Sequence, residues 1–174
     1  MTRQLLGYFI TFTTYGSWLH GDSRGSILKG KTTTLLSENP ALRAYEKSIQ
    51  KHQAVVLDSE AREIVKQAIL ETCRIRQWLL YAAHIRSSHI HLVLKADASP
   101  ERVLMDLKAY ATRSLRKNGY EQQRFWTRHG STRYFNAVSQ LNKAVHYAIS
   151  EQGNPMSIYV NPDFAGLFSY KPEA

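Results

Sequence analysis

Cysteine is almost absent from this 174-residue chain: Cys73 stands alone. A single thiol excludes an internal disulfide and any metal centre built from several thiolates. No run of about 18 apolar residues exists, which excludes a membrane-spanning helix. Residues 1–8 contain Arg3 but no apolar core and no small-residue cleavage site, which argues against a secretory leader. Acidic residues are also sparse, with 14 Asp and Glu against 23 Lys and Arg and a formal net charge of +9. At 43% hydrophobic and 21% charged, the chain has the apolar content of a packed core and too little charge for disorder. A chain of this length buries roughly 70% of its unfolded surface as one domain. The expectation is a soluble, intracellular, single-domain protein whose positive charge favours a polyanionic partner and no membrane.

Residues 8–15 are aromatic and β-branched and alternate at period two, so they read as a strand. From Gly16 to Asp58 the pattern breaks at Gly16, Gly21, Gly25, Gly30 and Asn39-Pro40. This reads as a long loop insertion with at most a short helix around 42–51. Asp58 or Ser59 caps a helix whose apolar positions are Ile64, Val65, Ala68, Ile69 and Cys73. Residues 79–86 and 89–96 read as strands joined by a tight turn at Ser87-Ser88. Ser99 and Pro100 open a second helix, which runs to Lys117 and stops at Asn118-Gly119. Residues 120–174 read as a C-terminal extension with a helix over 141–150 and a short strand over 156–160. Strand, helix, strand, strand, helix and a last strand of open position make an α+β chain on the ferredoxin-like β-α-β-β-α-β plan, with an antiparallel sheet. That fold hosts many functions and decides none by itself.

Chemistry concentrates in four places. His89-Ile90-His91 puts two imidazoles on one face of a strand, where they make two ligands for a divalent cation. The second place is Tyr110, at the border of the Val103, Leu104, Leu107, Ala111 and Leu115 stripe, near Arg113, Arg116 and Lys117. Nothing local singles it out among ten tyrosines. In the third, residues 124–135 interleave Arg124, Arg128, Arg133 and His129 with Phe125, Trp126, Tyr134 and Phe135 around Gly130. Arginines contact phosphates and aromatic faces stack on unpaired bases, so this segment suits a single strand or a hairpin better than plain duplex. The fourth is the loop His20-Gly21-Asp22-Ser23-Arg24-Gly25, whose glycines would allow close approach to a phosphate backbone.

Four stretches together resemble the HUH (His-hydrophobe-His) single-tyrosine transposases, notably the REP-associated tyrosine transposases and the insertion-sequence-200-type transposases of bacteria. They are residues 9–25 (FITFTTYGSWLHGDSRG), 83–93 (AHIRSSHIHLV), 106–116 (DLKAYATRSLR) and 125–134 (FWTRHGSTRY). The resemblance implies a ferredoxin-like core, His89 and His91 as ligands of Mg²⁺ or Mn²⁺, and Tyr110 as the nucleophile on the following helix. In some relatives a glutamine one turn after the tyrosine is a third ligand; Ser114 stands there in this chain. The implied reaction is metal-assisted attack of the tyrosine on single-stranded or hairpin DNA, giving a 5′-phosphotyrosine and a free 3′-hydroxyl that can rejoin. The implied location is the bacterial cytoplasm, in association with the nucleoid. With one tyrosine per chain, joining two cut ends takes a homodimer or two successive reactions. The alternative is a ferredoxin-like nucleic-acid-binding module without catalysis, either an RNA-binding module or a degenerate HUH domain. Residues 89–94 (HIHLVL) lack the aromatic pattern of the usual RNA-binding version.

Overall fold

Strand β1 (Gly7–Thr13) sends Tyr8, Ile10 and Phe12 to one side and Phe9, Thr11 and Thr13 to the other. This alternation organises the computed structural model, which describes residues 5–23, 26–29 and 33–165. After β1 come β2 (Ser26–Lys29), β3 (Thr33–Leu36), α1 (Pro40–Ser48), α2 (Ser59–Arg76), β4 (Leu79–Ile85) and β5 (His89–Lys95). The chain continues with α3 (Pro100–Lys117), β6 (Ser131–Phe135), α4 (Val138–Ser150), β7 (Ser157–Val160) and α5 (Pro162–Ala165). Five strands form one antiparallel sheet in the order β6-β1-β5-β4-β7, and β2 and β3 pair as a separate hairpin. No helix among the described residues is long and apolar enough to cross a membrane.

The β-α-β-β-α-β plan is present as β1-α2-β4-β5-α3-β6, but its last strand differs from expectation. That place belongs to residues 131–135, which pair with β1, while residues 157–160 add a fifth strand at the other edge, beside β4. The region expected to be a loop with at most a short helix around 42–51 holds a helix there, α1, and also the unexpected β2-β3 hairpin. Asn39-Pro40 starts α1 instead of breaking the chain: the Asn39 side chain accepts from Leu42 N at 3.0 Å, and proline fits the first helical turn, where its missing N–H costs nothing. Helix α3 has the predicted bounds, capped by Ser99 Oγ accepting from Arg102 N.

Each sheet face carries its own apolar layer. Tyr8, Ile10, Phe12, Ile90, Leu92 and Leu94 pack under α2 and α3 with Val65, Ile69, Val103, Leu107 and Leu115. Phe9, Val93 and Phe135 pack under α4 with Leu141, Ala144, Val145 and Ala148. The crossovers explain the division. β1-α2-β4 and β5-α3-β6 each link strands that run the same way, and right-handed crossovers of such units place both helices on one face. The opposite face is left for α4. Cys73 lies in the larger layer, where burial pushes its thiol up to about 12 and leaves it inert at neutral pH.

Candidate active site

His89 and His91 both point to the α4 side of the sheet, their rings 4.8 Å apart, centroid to centroid. The reason is parity: Ile90, Leu92 and Leu94 take the side covered by α2 and α3, so the odd-numbered positions face the other way. The turn before them is pinned from two directions. Thr14 N donates to the Ser88 carbonyl at 2.9 Å, and Thr14 Oγ1 lies 3.2 Å from the same oxygen and 2.6 Å from the Val55 carbonyl. Leu57 N donates to the Ser87 carbonyl at 2.8 Å. The start of β5 is therefore fixed by the end of β1 and by the segment leading into α2.

Each imidazole is held through Nδ1 by a hydroxyl. His91 Nδ1 lies 2.8 Å from Thr11 Oγ1, and His89 Nδ1 lies 3.1 Å from Ser88 Oγ. Partners at Nδ1 orient metal-ligating histidines that coordinate through Nε2. His91 Nε2 is 3.0 Å from Gln152 Oε1, and Gln152 Nε2 donates to the Tyr147 carbonyl at 3.1 Å. The His91 ring also stacks on Phe9, with centroids 5.5 Å apart and planes at 10°. Burial, followed by the neighbouring His89, pushes the His91 imidazole down to about 3, so it stays neutral and ligand-competent at neutral pH.

Tyr147 completes the cluster from the last turn of α4. Leu141, Ala144, Val145, Ala148 and Ile149 bury the inner stripe of that helix. Tyr147 stands at its border, 43% exposed, with its ring edge-on to Phe9 at 5.7 Å and to His91 at 6.0 Å. Among the described residues no group of three or more His, Cys, Asp or Glu could hold a metal ion. Two imidazoles and one amide oxygen are nonetheless a set that can donate to a divalent cation, and His91 Nε2 and Gln152 Oε1 face each other at 3.0 Å.

Tyr110 does not join this cluster. It lies on α3, half-buried, with the Arg113 guanidinium 4.2 Å over its ring, and α3 covers the opposite face of the sheet. The sheet stands between Tyr110 and both histidines, so the expected pairing is not brought together in this structure. His84 is paired with His91 across β4 and β5 and shares its face, because parity counted along the chain does not carry across a turn between strands. It is fully buried, with Nδ1 donating to the Ala148 carbonyl at 2.8 Å and Nε2 accepting from Met156 N at 3.2 Å. Both ring nitrogens are engaged in neutral hydrogen bonds, and His84 serves as a structural residue.

The expected nucleic-acid residues are dispersed. Arg113, Arg116 and Lys117 lie toward the C-terminal end of α3, whereas Arg128 and His129 line a small pocket with Pro100 and Glu101 at its N-terminal end. At 1.5 Å per helical residue those groups lie about 18 to 26 Å apart along the axis. Arg124 sits over the Tyr15 ring at 5.2 Å and donates to the Trp126 carbonyl. Trp126 is 7% exposed, edge-on to Phe12, and bonded through Nε1 to Thr112 Oγ1 at 2.9 Å, so it is a core side chain and not a stacking platform. Arg133 and Tyr134 are adjacent on β6 opposite Phe9 and Tyr8, so their side chains leave on different faces. His20 is half-buried, and Arg24 lies outside the described residues. Gly21, at φ +85°, is needed by the fold itself, since a Cβ there would come 2.3 Å from the Asn39 carbonyl oxygen at the start of α1.

Tyr147 and Gln152 were legible only in part. The 141–150 periodicity places Tyr147 at a stripe border, as it does Tyr110 on the other helix, and a glutamine follows about a turn later. The deciding signal is the apolar trio Ile90, Leu92 and Leu94, which reserves its face for the two crossover helices and leaves the histidines to the helix that comes after them.

Comparison with known proteins finds likenesses to a family model and to solved structures. A family model described as transposase IS200 like matches residues 48–149. A solved structure described as a REP-associated tyrosine transposase bound to a REP hairpin is similar over 83% of this chain, at 11% identity and a TM-score of 0.48. The chain covers 65% of the length of that solved chain. No curated protein matches.

Proposed function

The chain belongs to the IS200-like transposase family, whose model spans residues 48–149, and from that premise we propose that it nicks and rejoins single-stranded or hairpin-associated DNA with Tyr147 as its nucleophile. The observation that carries this reading is the convergence of His89, His91, Gln152 and Tyr147 on one sheet face, where Tyr110 has no access.

Tyr147 Oη attacks the scissile phosphorus; the phosphorus–3′-oxygen bond breaks, leaving a 3′-hydroxyl and a 5′-phosphotyrosine. A phosphodiester is conserved in that link, so a 3′-hydroxyl from the same or another strand reverses the step without nucleotide hydrolysis. Phenols ionise near pH 10, so the attacking oxygen needs positive potential, and Lys143, four residues before Tyr147 on α4, supplies some of it. His89, His91 and Gln152 would hold a divalent cation, Mg²⁺ or Mn²⁺. When bound, that ion polarises the phosphate and offsets its charge. His91 suits the role because Thr11 Oγ1 can donate to or accept from Nδ1, so the ring can present an unprotonated Nε2. Phe9 holds the His91 ring flat and Tyr147 edge-on, fixing the relation of nucleophile and ligand.

The test uses DNA hairpins carrying single-stranded flanks, labelled at the 5′ or the 3′ end and incubated with Mn²⁺. Wild type and Tyr110→Phe are expected to form a covalent adduct visible on denaturing gels, and Tyr147→Phe to form none. An adduct with Tyr147→Phe, or its loss with folded Tyr110→Phe, overturns the assignment.

A further inference from the structure

An open groove of about 620 Å³ runs between β6 and α4 and ends beside the tyrosine of the candidate site. Its floor is apolar, made by Phe9 and Phe135, and its walls are basic. Arg133 comes from β6, opposite Phe9 in the strand register, so its side chain shares the α4 face. Lys143 comes from α4, one turn and about 6 Å along the axis before Tyr147. Both are exposed, and neither takes part in an ion pair among the described residues. The acidic residue that lines the groove, Glu151, has an oxygen 2.9 Å from His146 Nδ1. The Phe9 ring is common to both regions, lining the groove while stacking on His91 and touching Tyr147.

We propose that this groove is the seat of the DNA strand adjoining the scissile phosphate, with Arg133 and Lys143 on its phosphates and an unpaired base against the exposed Tyr147 ring. Three features select that occupant. The volume, about 620 Å³, accommodates a nucleotide. An exposed aromatic ring in a groove with two cations matches a base flanked by phosphates. The groove also leads to Tyr147, the oxygen donor of the proposed reaction. The position of the scissile phosphate rests on the nicking reading, whereas occupancy of the groove needs no cleavage.

The experiment is fluorescence anisotropy with a labelled oligothymidine of about 12 nucleotides, in EDTA, across a salt series. Arg133→Ala/Lys143→Ala is expected to weaken binding about tenfold or more. It should also flatten the slope of log K against log salt by about 1.4, roughly 0.7 for each lost phosphate contact. A duplex of equal length should lose less than about twofold, and so should oligothymidine binding by Arg116→Ala/Lys117→Ala, on the opposite sheet face. Unchanged oligothymidine binding by Arg133→Ala/Lys143→Ala overturns the proposal, as do equal losses for both DNAs, no binding by wild type at low salt, or tighter binding of oligouridine. Photocrosslinking wild type to an oligothymidine carrying one 5-iodouracil avoids any dependence on folded variants. Crosslinks are expected in peptides containing Phe9, Phe135 or Tyr147, and crosslinks confined to α3 overturn the proposal. If wild type forms no adduct but the groove variant loses oligothymidine, the nicking reading fails and the groove stands. If adducts form and the groove variant binds normally, the groove fails and the nicking reading stands.

Discussion

Gln152 reaches back from beyond α4 to His91, placing Oε1 3.0 Å from the imidazole Nε2 while its amide nitrogen is tethered to the Tyr147 carbonyl. One side chain thus fixes the spacing between the sheet that carries the histidines and the helix that carries the tyrosine. Gln152→Ala is expected to weaken Mn²⁺ binding by about tenfold or more, and Gln152→Glu, which keeps an oxygen donor, to retain it. Isothermal titration with Mn²⁺ reads the difference; equal affinity of wild type and Gln152→Ala would remove Gln152 from the ligand set.

Thr14 tests the support of His89. Thr14→Val removes the hydroxyl that faces the Val55 and Ser88 carbonyls and should cost about 1–3 kcal/mol of stability. Thr72→Val removes a comparable buried hydroxyl bond, to the Ala68 carbonyl, within α2 and far from the site. Urea titrations should show both variants destabilised, and Mn²⁺ titrations should show a loss only in Thr14→Val. A matching loss in Thr72→Val would make the effect general softening.

Phe9 links packing to chemistry. Phe9→Leu keeps an apolar side chain under α4 and should cost less than Phe9→Ala, which opens a cavity worth about 3–5 kcal/mol. Both lose the face that stacks on His91 and meets the Tyr147 edge. Adduct formation should therefore fall in Phe9→Leu at a temperature where its fold is intact, as checked by circular dichroism. Wild-type adduct rates in Phe9→Leu would mean that the ring matters only as volume.

Acid should destabilise the metal-free protein through two histidines. Burial lowers His84 below the ordinary imidazole value of 6.5 and takes His91 down to about 3. Below pH 6.5 the unfolded chain binds protons that the folded chain does not, so stability is full above that pH and is lost as pH falls toward the folded values. Each histidine contributes a slope of up to about 1.4 kcal/mol per pH unit. Urea titrations in EDTA from about pH 8 to about pH 4 measure that slope. His84→Gln should flatten it by up to one proton's worth; an unchanged slope would show that His84 is not buried as a neutral ring.

What the sequence made legible was local. Ser99-Pro100 and Asn118-Gly119 are cap chemistry, so α3 could be bounded to the residue, and His89-Ile90-His91 shares a face by parity alone. The remainder depended on contacts distant in the chain. Residues 131–135 are few and polar, and they become a strand because β1 offers them an edge. Asn39-Pro40 carries the same letters whether it breaks a chain or opens a helix. Tyr110 and Tyr147 occupy equivalent borders of two amphipathic helices, and only the assignment of helices to sheet faces separates them. Family membership supports transposition; the layering is the reason the proposal falls on Tyr147.

The two apolar layers have consequences for anyone who wishes to toughen this protein. The layer under α2 and α3 lies on the sheet face opposite His89, His91 and Tyr147, so Val65, Ile69, Leu107 and Leu115 can be repacked for heat resistance at a distance from the site. The layer under α4 contains Phe9, and every ångström conceded there shifts His91 against Tyr147. Thermal hardening and catalytic tuning can therefore proceed on opposite sides of one sheet, as independent engineering problems.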